Sequence, residues 1–147
     1  MARTTSDIVV DASPEQIMDV IADFGAYPEW ATGVREATVV SDDDASGRAR
    51  QVHFVLDAAP IRDEYDLVYT WDGVRAVSWS LAEKATMLTS MDGRYSLEPV
   101  AGGTRVTYEL AVDVAVPLLG MLKRKAEKVI IDTALRGLKK QVEGHGG

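Results

Sequence analysis

From Val34 to Val114 apolar and polar residues alternate with a period of two, and clusters of turn residues interrupt the alternation. The pattern predicts strands over Val34–Ser41, Arg48–Leu56, Asp63–Trp71, Ala76–Leu81, Met87–Glu98 and Thr104–Val114. The separators are Asp42-Asp43-Asp44-Ala45-Ser46-Gly47, Ala58-Ala59-Pro60, Asp72-Gly73, Glu83-Lys84-Ala85 and Val100-Ala101-Gly102-Gly103. Consecutive strands joined by short turns make an antiparallel meander. Ahead of it, Ser6–Val10 reads as a short strand. A helix start follows, with Ser13 as N-cap, Pro14 at the first helical position and Gln16 at the third. Ile17, Val20 and Ile21 give that helix its buried stripe, which ends near Phe24-Gly25, and a second helical turn is expected at Tyr27-Pro28-Glu29-Trp30. Behind the meander one long helix is expected from Leu118 to Val142, preceded by Pro117 and terminated at Gly144.

Side-chain parity assigns the faces of the sheet. Val52, Phe54 and Leu56 share one face with Tyr65, Leu67, Tyr69 and Trp71, with Val77, Trp79 and Leu81, and with Val106, Tyr108, Leu110, Val112 and Val114. The opposite face carries Gln51, His53, Glu64, Asp66, Ser78, Arg105, Glu109 and Asp113. One covered face and one wet face are expected of such a sheet, and the C-terminal helix is the element long enough to cover it. Its Leu119, Leu122, Val129 and Ile130 form one stripe, Ile131, Leu135, Leu138 and Val142 a second, and Ala126, Thr133, Ala134 and Gly137 interleave with the first. Small residues opposite large aromatic ones have two explanations: close approach of helix to sheet, or a cavity between them.

Composition narrows the function classes. The chain has 147 residues, 46% of them hydrophobic and 27% charged, which suits one domain over residues 1–147 with a single core. It has no cysteine and two histidines, His53 and His145, which removes disulfides, thiolate chemistry and a histidine metal cluster; no metal and no cofactor are expected. A net charge of −7 argues against nucleic acid as a partner. With no signal-like segment and no 18-residue apolar run, a soluble cytoplasmic protein is expected. Asp42, Asp44, Ser46 and Gly47 match part of a calcium loop, but His53 stands where a bidentate Glu is required, so a hairpin turn is expected there. Gly102-Gly103 lies between strands and has no helix after it to complete a phosphate loop.

The order of elements resembles the helix-grip fold of the START-like, Bet v 1-like superfamily, an α+β fold whose curved antiparallel sheet wraps a long C-terminal helix. The resemblance is carried by Ile8-Val9-Val10-Asp11-Ala12-Ser13-Pro14-Glu15-Gln16-Ile17 and by Phe24-Gly25-Ala26-Tyr27-Pro28-Glu29-Trp30. Tyr95-Ser96-Leu97-Glu98-Pro99, Gly102-Gly103-Thr104-Arg105-Val106 and the final helix add to it. Within the superfamily the chain is most similar to the polyketide cyclase/dehydrase and lipid transport group. The resemblance implies a cavity between sheet and helix that holds a lipid, quinone or polyketide-like molecule. Some members are enzymes and others only carry a ligand, and no catalytic motif transfers residue by residue.

The expected lining is Phe54, Tyr65, Leu67, Tyr69, Trp79, Met91, Tyr95, Tyr108 and Leu110 from the sheet, and Leu122, Ala126, Val129, Ile130 and Thr133 from the helix. Trp30 stands either exposed at the cavity entrance or as a core ring anchoring the short helix. A soluble carrier is the first reading. A cyclase or aromatase is the alternative: Arg50 and Asp63 fall on the apolar parity near strand ends, so Arg50 would stabilise an enolate, Asp63 would act as base, and a tyrosine such as Tyr95 would donate to oxygen. The competing reading places Arg50 and Asp63 at solvated strand ends and the tyrosines in the core. From Leu118 onward the net charge is +4 against −11 for the rest. Arg124, Lys125, Lys128 and Lys139 on the outward side of the helix suit either contact with an anionic membrane or acyl carrier, or a plain solvated face. His53 is expected to be a surface residue.

Overall fold

The computed structural model describes residues 4–31, 33–42, 47–58, 61–115 and 120–145. The tips of the two turns expected at 42–47 and 58–60, and Pro117, Leu118 and Leu119 at the start of the expected long helix, lie outside them.

Seven strands form one antiparallel sheet: β1 (Thr4–Val10), β2 (Val34–Asp42), β3 (Ala49–Ala58), β4 (Ile61–Asp72), β5 (Ala76–Leu81), β6 (Leu88–Val100) and β7 (Gly103–Val114). Their spatial order is β1-β7-β6-β5-β4-β3-β2, so the six later strands are a meander and β1 joins its far edge by pairing with β7. Between β1 and β2 lie α1 (Pro14–Ala22), a single 3-10 turn at Phe24–Ala26, and α2 (Tyr27–Trp30). The chain ends in α3 (Gly120–His145). This is the helix-grip arrangement.

Local chemistry explains the helix starts. The N–H of Gln16 donates to Ser13 Oγ at 3.2 Å while Gln16 Oε1 accepts from the Ser13 N–H at 3.0 Å, a reciprocal cap at the head of α1. α1 buries Ile17, Met18 and Ile21, with Val20 only partly covered, so its inward face is rotated by part of a turn from the expected one. At the other end α3 runs through Gly144 to His145; no side chain or strand approaches Gly144, and the helical ladder continues past it.

The two stripes of α3 have different tasks. Ile131, Leu135, Leu138 and Val142 are buried, and they form the packed face, with β1, β7 and α1 as the neighbours of the helix. Val129, from the other stripe, is 55% exposed. Extending the packed stripe one turn toward the N-terminus reaches Glu127, only 2% exposed. Glu127 Oε1 accepts from Thr4 Oγ1 at 2.6 Å and Oε2 accepts from the Val112 N–H at 2.8 Å. Among the described residues Thr4 pairs with Leu110, and this carboxylate takes the N–H of Val112, two residues further along β7.

On the outer face, His53 Nδ1 lies 2.6 Å from Asp66 Oδ1 and Nε2 lies 3.3 Å from Glu64 Oε1. The hydrogen bond to Asp66, opposed by partial desolvation and assisted by Glu64, raises the imidazole above its usual value. A raised folded value means that the stabilisation is complete below the unfolded value of about 6.5 and is lost as pH rises through the folded one. His53→Gln is therefore expected to lower the unfolding midpoint more near pH 6 than near pH 9, as thermal unfolding in the two buffers would show. A midpoint difference that grows with pH would contradict the assignment.

Candidate functional site

A cavity of about 660 Å3 lies between the inner face of the sheet and α3. Its sheet wall is Phe54, Tyr65, Leu67, Tyr69, Trp79, Met91, Tyr95, Tyr108 and Leu110; its helix wall is Ala126, Val129, Ile130 and Thr133, with Ala134; Trp30 closes one end. Leu122 was expected on the helix wall, and its side chain lies outside the described residues. The reading missed Tyr27, Ala31, Gly33, Val34, Leu56, Asp57 and Lys125. Ala31 and Gly33 lie between α2 and β2, where no periodicity reveals an inward direction, while Leu56 already stood on the inner parity of β3 and was left out of the expected lining. The exposed lining residues Lys125 and Val129, with Asp57, mark the mouth. Asp57 is held there by Arg35 at 2.9 Å and Arg62 at 2.8 Å.

Small residues set the width of the space. A Cβ at Gly93 would overlap the Trp79 indole, which lies across β6 where the two residues pair. A Cβ at Gly137 would overlap the Trp30 carbonyl oxygen, so Gly137 seats α2 against α3. Trp30 is consequently a buried ring, 6% exposed, that both anchors α2 and lines the cavity. Its Nε1 is buried without a hydrogen-bond partner among the described residues.

Aromatic rings form a continuous wall. Trp79 lies 5.3 Å from Tyr95 and 5.5 Å from Tyr108, and Tyr95 lies 4.6 Å from Tyr108, in tilted or edge-on geometry. The Tyr27 hydroxyl donates to the Ile21 carbonyl. Tyr65, Tyr69, Tyr95 and Tyr108 all line the cavity. Burial pushes each of these phenols up, and neighbouring phenols push Tyr65, Tyr69 and Tyr95 up further. At neutral pH they stay protonated, able both to donate and to accept a hydrogen bond.

Arg50 and Asp63 do not face this space. Ser41 pairs with Gln51 and Asp42 with Ala49, so Arg50 is the extra residue of a β-bulge. The bulge turns Ala49 inward, 5% exposed, and leaves Arg50 exposed. Asp63 lies on a part of β4 that β5 is too short to pair, since β5 meets β4 only from Leu67 onward. Its Oδ2 accepts from the Met87 and Leu88 N–H groups at 2.7 and 2.8 Å, and Oδ1 accepts from the Glu64 N–H at 3.0 Å. This carboxylate ties down the loop ahead of β6. Asp63→Ala is expected to cost ~1–2 kcal/mol of stability and to leave the affinity of a neutral cavity probe unchanged. A loss of probe affinity with unchanged stability would return Asp63 to the cavity.

The basic cluster of α3 is also divided. Lys128 Nζ reaches Asp132 Oδ1 at 2.9 Å and Ser6 Oγ at 3.4 Å. Lys139 Nζ donates to the Val9 carbonyl at 2.8 Å and pairs with Glu143 at 2.6 Å. These two lysines hold α3 to β1, leaving Arg124 and Lys125 exposed near the mouth.

Comparison with known proteins gives the lineage of this geometry. Residues 1–143 match the model of the family described as polyketide cyclase / dehydrase and lipid transport. The chain belongs to that family. Among solved structures, a START superfamily protein from Mycobacterium smegmatis has 20% sequence identity, a TM-score of 0.89, and coverage of 98% of this chain and 99% of that one. The Zhui aromatase/cyclase from a Streptomyces species has 13% identity, a TM-score of 0.76, and coverage of 99% and 95%. These likenesses establish a shared START-like fold. An uncharacterized protein of Mycobacterium tuberculosis is 27% identical over 117 residues, which span 78% of this chain and 66% of the relative's length. Among the described residues no helix of this family member is long and apolar enough to cross a membrane.

Proposed function

We propose that this chain is a binding or carrier protein for one small hydrophobic ligand, a lipid, quinone or polyketide-like molecule, held between the sheet and α3. The observation that carries the reading is the cavity itself, about 660 Å3 and walled mainly by apolar and aromatic side chains. A volume of that order suits a ligand of drug or lipid-tail size. Each buried methylene contributes ~0.8 kcal/mol, so a ligand of that size binds without covalent attachment.

A cyclase-type reaction in the same cavity is the second reading, and the phenol donors would polarise a carbonyl oxygen in it. Carriage is favoured because Asp63, the base assigned from parity, is occupied by backbone N–H groups. Asp57, the carboxylate among the described lining residues, is held by two arginines. Any contact with an anionic membrane or an acyl carrier falls, in this reading, to Arg124 and Lys125 beside the mouth.

Native mass spectrometry of freshly purified protein, followed by organic extraction, tests the reading. A non-covalent adduct that extracts as a lipid, quinone or polyketide is expected. A chain that carries no adduct and also takes up none of a panel of those three classes would overturn it.

A further inference from the structure

Gly93 lies in the interior of β6 and its φ is not positive, so the backbone there would accept any residue. A glycine inside a strand has no side chain to pack and weakens it, and one common reason for it is the close approach of another group. Here that group is Trp79, its pairing partner on β5. A Cβ built on Gly93 falls on Cε2, Cζ2 and Nε1 of the indole, well inside van der Waals contact. The indole therefore rests against the bare backbone of β6. It is also boxed in sideways, since the rings of Tyr69, Tyr95 and Tyr108 stand with centroids 5.8, 5.3 and 5.5 Å from it. All four rings line the cavity. With strand backbone behind it and tyrosines around it, the open direction for this ring is into the cavity.

We propose that Gly93 is a positioning residue that sets how thick a ligand the cavity admits, and that it acts through Trp79. The inference rests on the binding reading above and adds a selectivity to it. While position 93 carries no side chain, the indole stays back against the sheet and the cavity keeps its full girth beside it. A methyl group at that position must push the indole inward by more than about 1 Å before ordinary carbon–carbon contact of about 3.5–4.0 Å is regained. A thin flexible chain can pass round a displaced ring by changing its own torsions. A rigid cage cannot, and close-packed walls do not yield to it. The pair therefore discriminates by thickness, and Gly93 does so without touching the ligand.

The test uses neutral alcohols of rising girth, cyclohexanol, 1-adamantanol and 1-diamantanol, with 1-decanol as the thin and flexible member. Their affinities are measured by isothermal titration calorimetry for the wild type, Gly93→Ala, Trp79→Leu and the double variant. In the wild type affinity is expected to rise along the cage series, because each larger cage buries more apolar surface. Gly93→Ala is expected to weaken 1-diamantanol at least about 10-fold, the effect of about one methylene too many in a fitted pocket, with 1-decanol unchanged. Trp79→Leu removes the ring that the new methyl displaces, so the double variant is expected to regain 1-diamantanol. A glycine needed only for the strand would not be rescued in this way. A diamantanol-to-decanol affinity ratio that Gly93→Ala leaves unchanged, or that the double variant fails to restore, would overturn the assignment while leaving the binding reading standing. Should Gly93→Ala fail to fold, Trp79→Leu alone decides: it widens the same place, so a raised ratio supports the assignment and an unchanged ratio overturns it. Failure of all these alcohols to bind the wild type would overturn the binding reading and this inference together.

Discussion

Thr133→Trp is expected to weaken binding of a neutral fluorescent probe such as N-phenylnaphthylamine about 100-fold, a change of ~2.7 kcal/mol. Thr133 is half-buried and lines the cavity near the C-terminal end of its helix wall, which runs from Lys125 to Ala134. An indole there occupies the volume the probe rings need. Excluding the probe from roughly 100 Å2 of apolar contact removes ~2.5 kcal/mol at about 25 cal/mol per Å2. Because the new side chain enters space and not a packed layer, the midpoint of thermal unfolding should stay near that of the wild type. Thr133→Val, nearly the same shape, is the control and should bind as the wild type does. Undiminished probe binding in Thr133→Trp would mean that the probe sits elsewhere.

Glu127→Ala is expected to cost ~3 kcal/mol of stability, the largest loss among the single substitutions considered. The change removes both acceptors at once. The buried Val112 N–H loses its acceptor, and the Thr4 hydroxyl loses its anchor to α3. Glu127→Gln keeps one acceptor oxygen and should cost about half as much. Chemical denaturation of the three proteins at pH 7 measures the series. A loss below ~1 kcal/mol for Glu127→Ala would mean that water takes over the two bonds and that the carboxylate does not hold α3 to the sheet edge.

Those two residues also mark the limits of what the sequence reveals. Period two along β3, β4, β5 and β7 placed Phe54, Tyr65, Tyr69, Trp79 and Tyr108 on one face, because parity is a purely local property of a regular strand. Parity failed at Arg50, where a bulge inserts one residue and reverses the direction of the next side chain. A bulge depends on how β2 meets β3, and nothing in the alternation of either strand announces it. At Asp63 the parity was of no help for another reason: what matters is the length of β5, which leaves β4 unpaired beside the loop before β6.

On α3 the helical period was legible but ambiguous. Two apolar stripes run along one cylinder, and the second, Ile131, Leu135, Leu138 and Val142, takes the packed side. The interleaved small residues Ala126, Thr133 and Ala134 face the open side. Glu127 stands four residues before Ile131 in the packed stripe, a signal available to inspection of spacing alone. Its partners, 123 residues away in β1 and 15 away in β7, were not. The mouth residues Asp57 and Lys125 were unreadable for a similar reason, since strand ends and helix flanks have no fixed inward direction.

The central claim is that a hydrophobic molecule enters the space between α3 and the aromatic face, and the three tryptophans provide a direct reading of it. Trp30 and Trp79 line the cavity; Trp71 does not, and its Nε1 donates to the Ala49 carbonyl at 2.7 Å. The decisive measurement is a two-dimensional nitrogen–proton NMR titration of the indole N–H signals with a neutral aromatic ligand such as 9-fluorenone. The account predicts saturable shifts of the Trp30 and Trp79 signals with Trp71 unmoved. Shifts confined to Trp71, or none at any indole up to the solubility limit of the ligand, would contradict it.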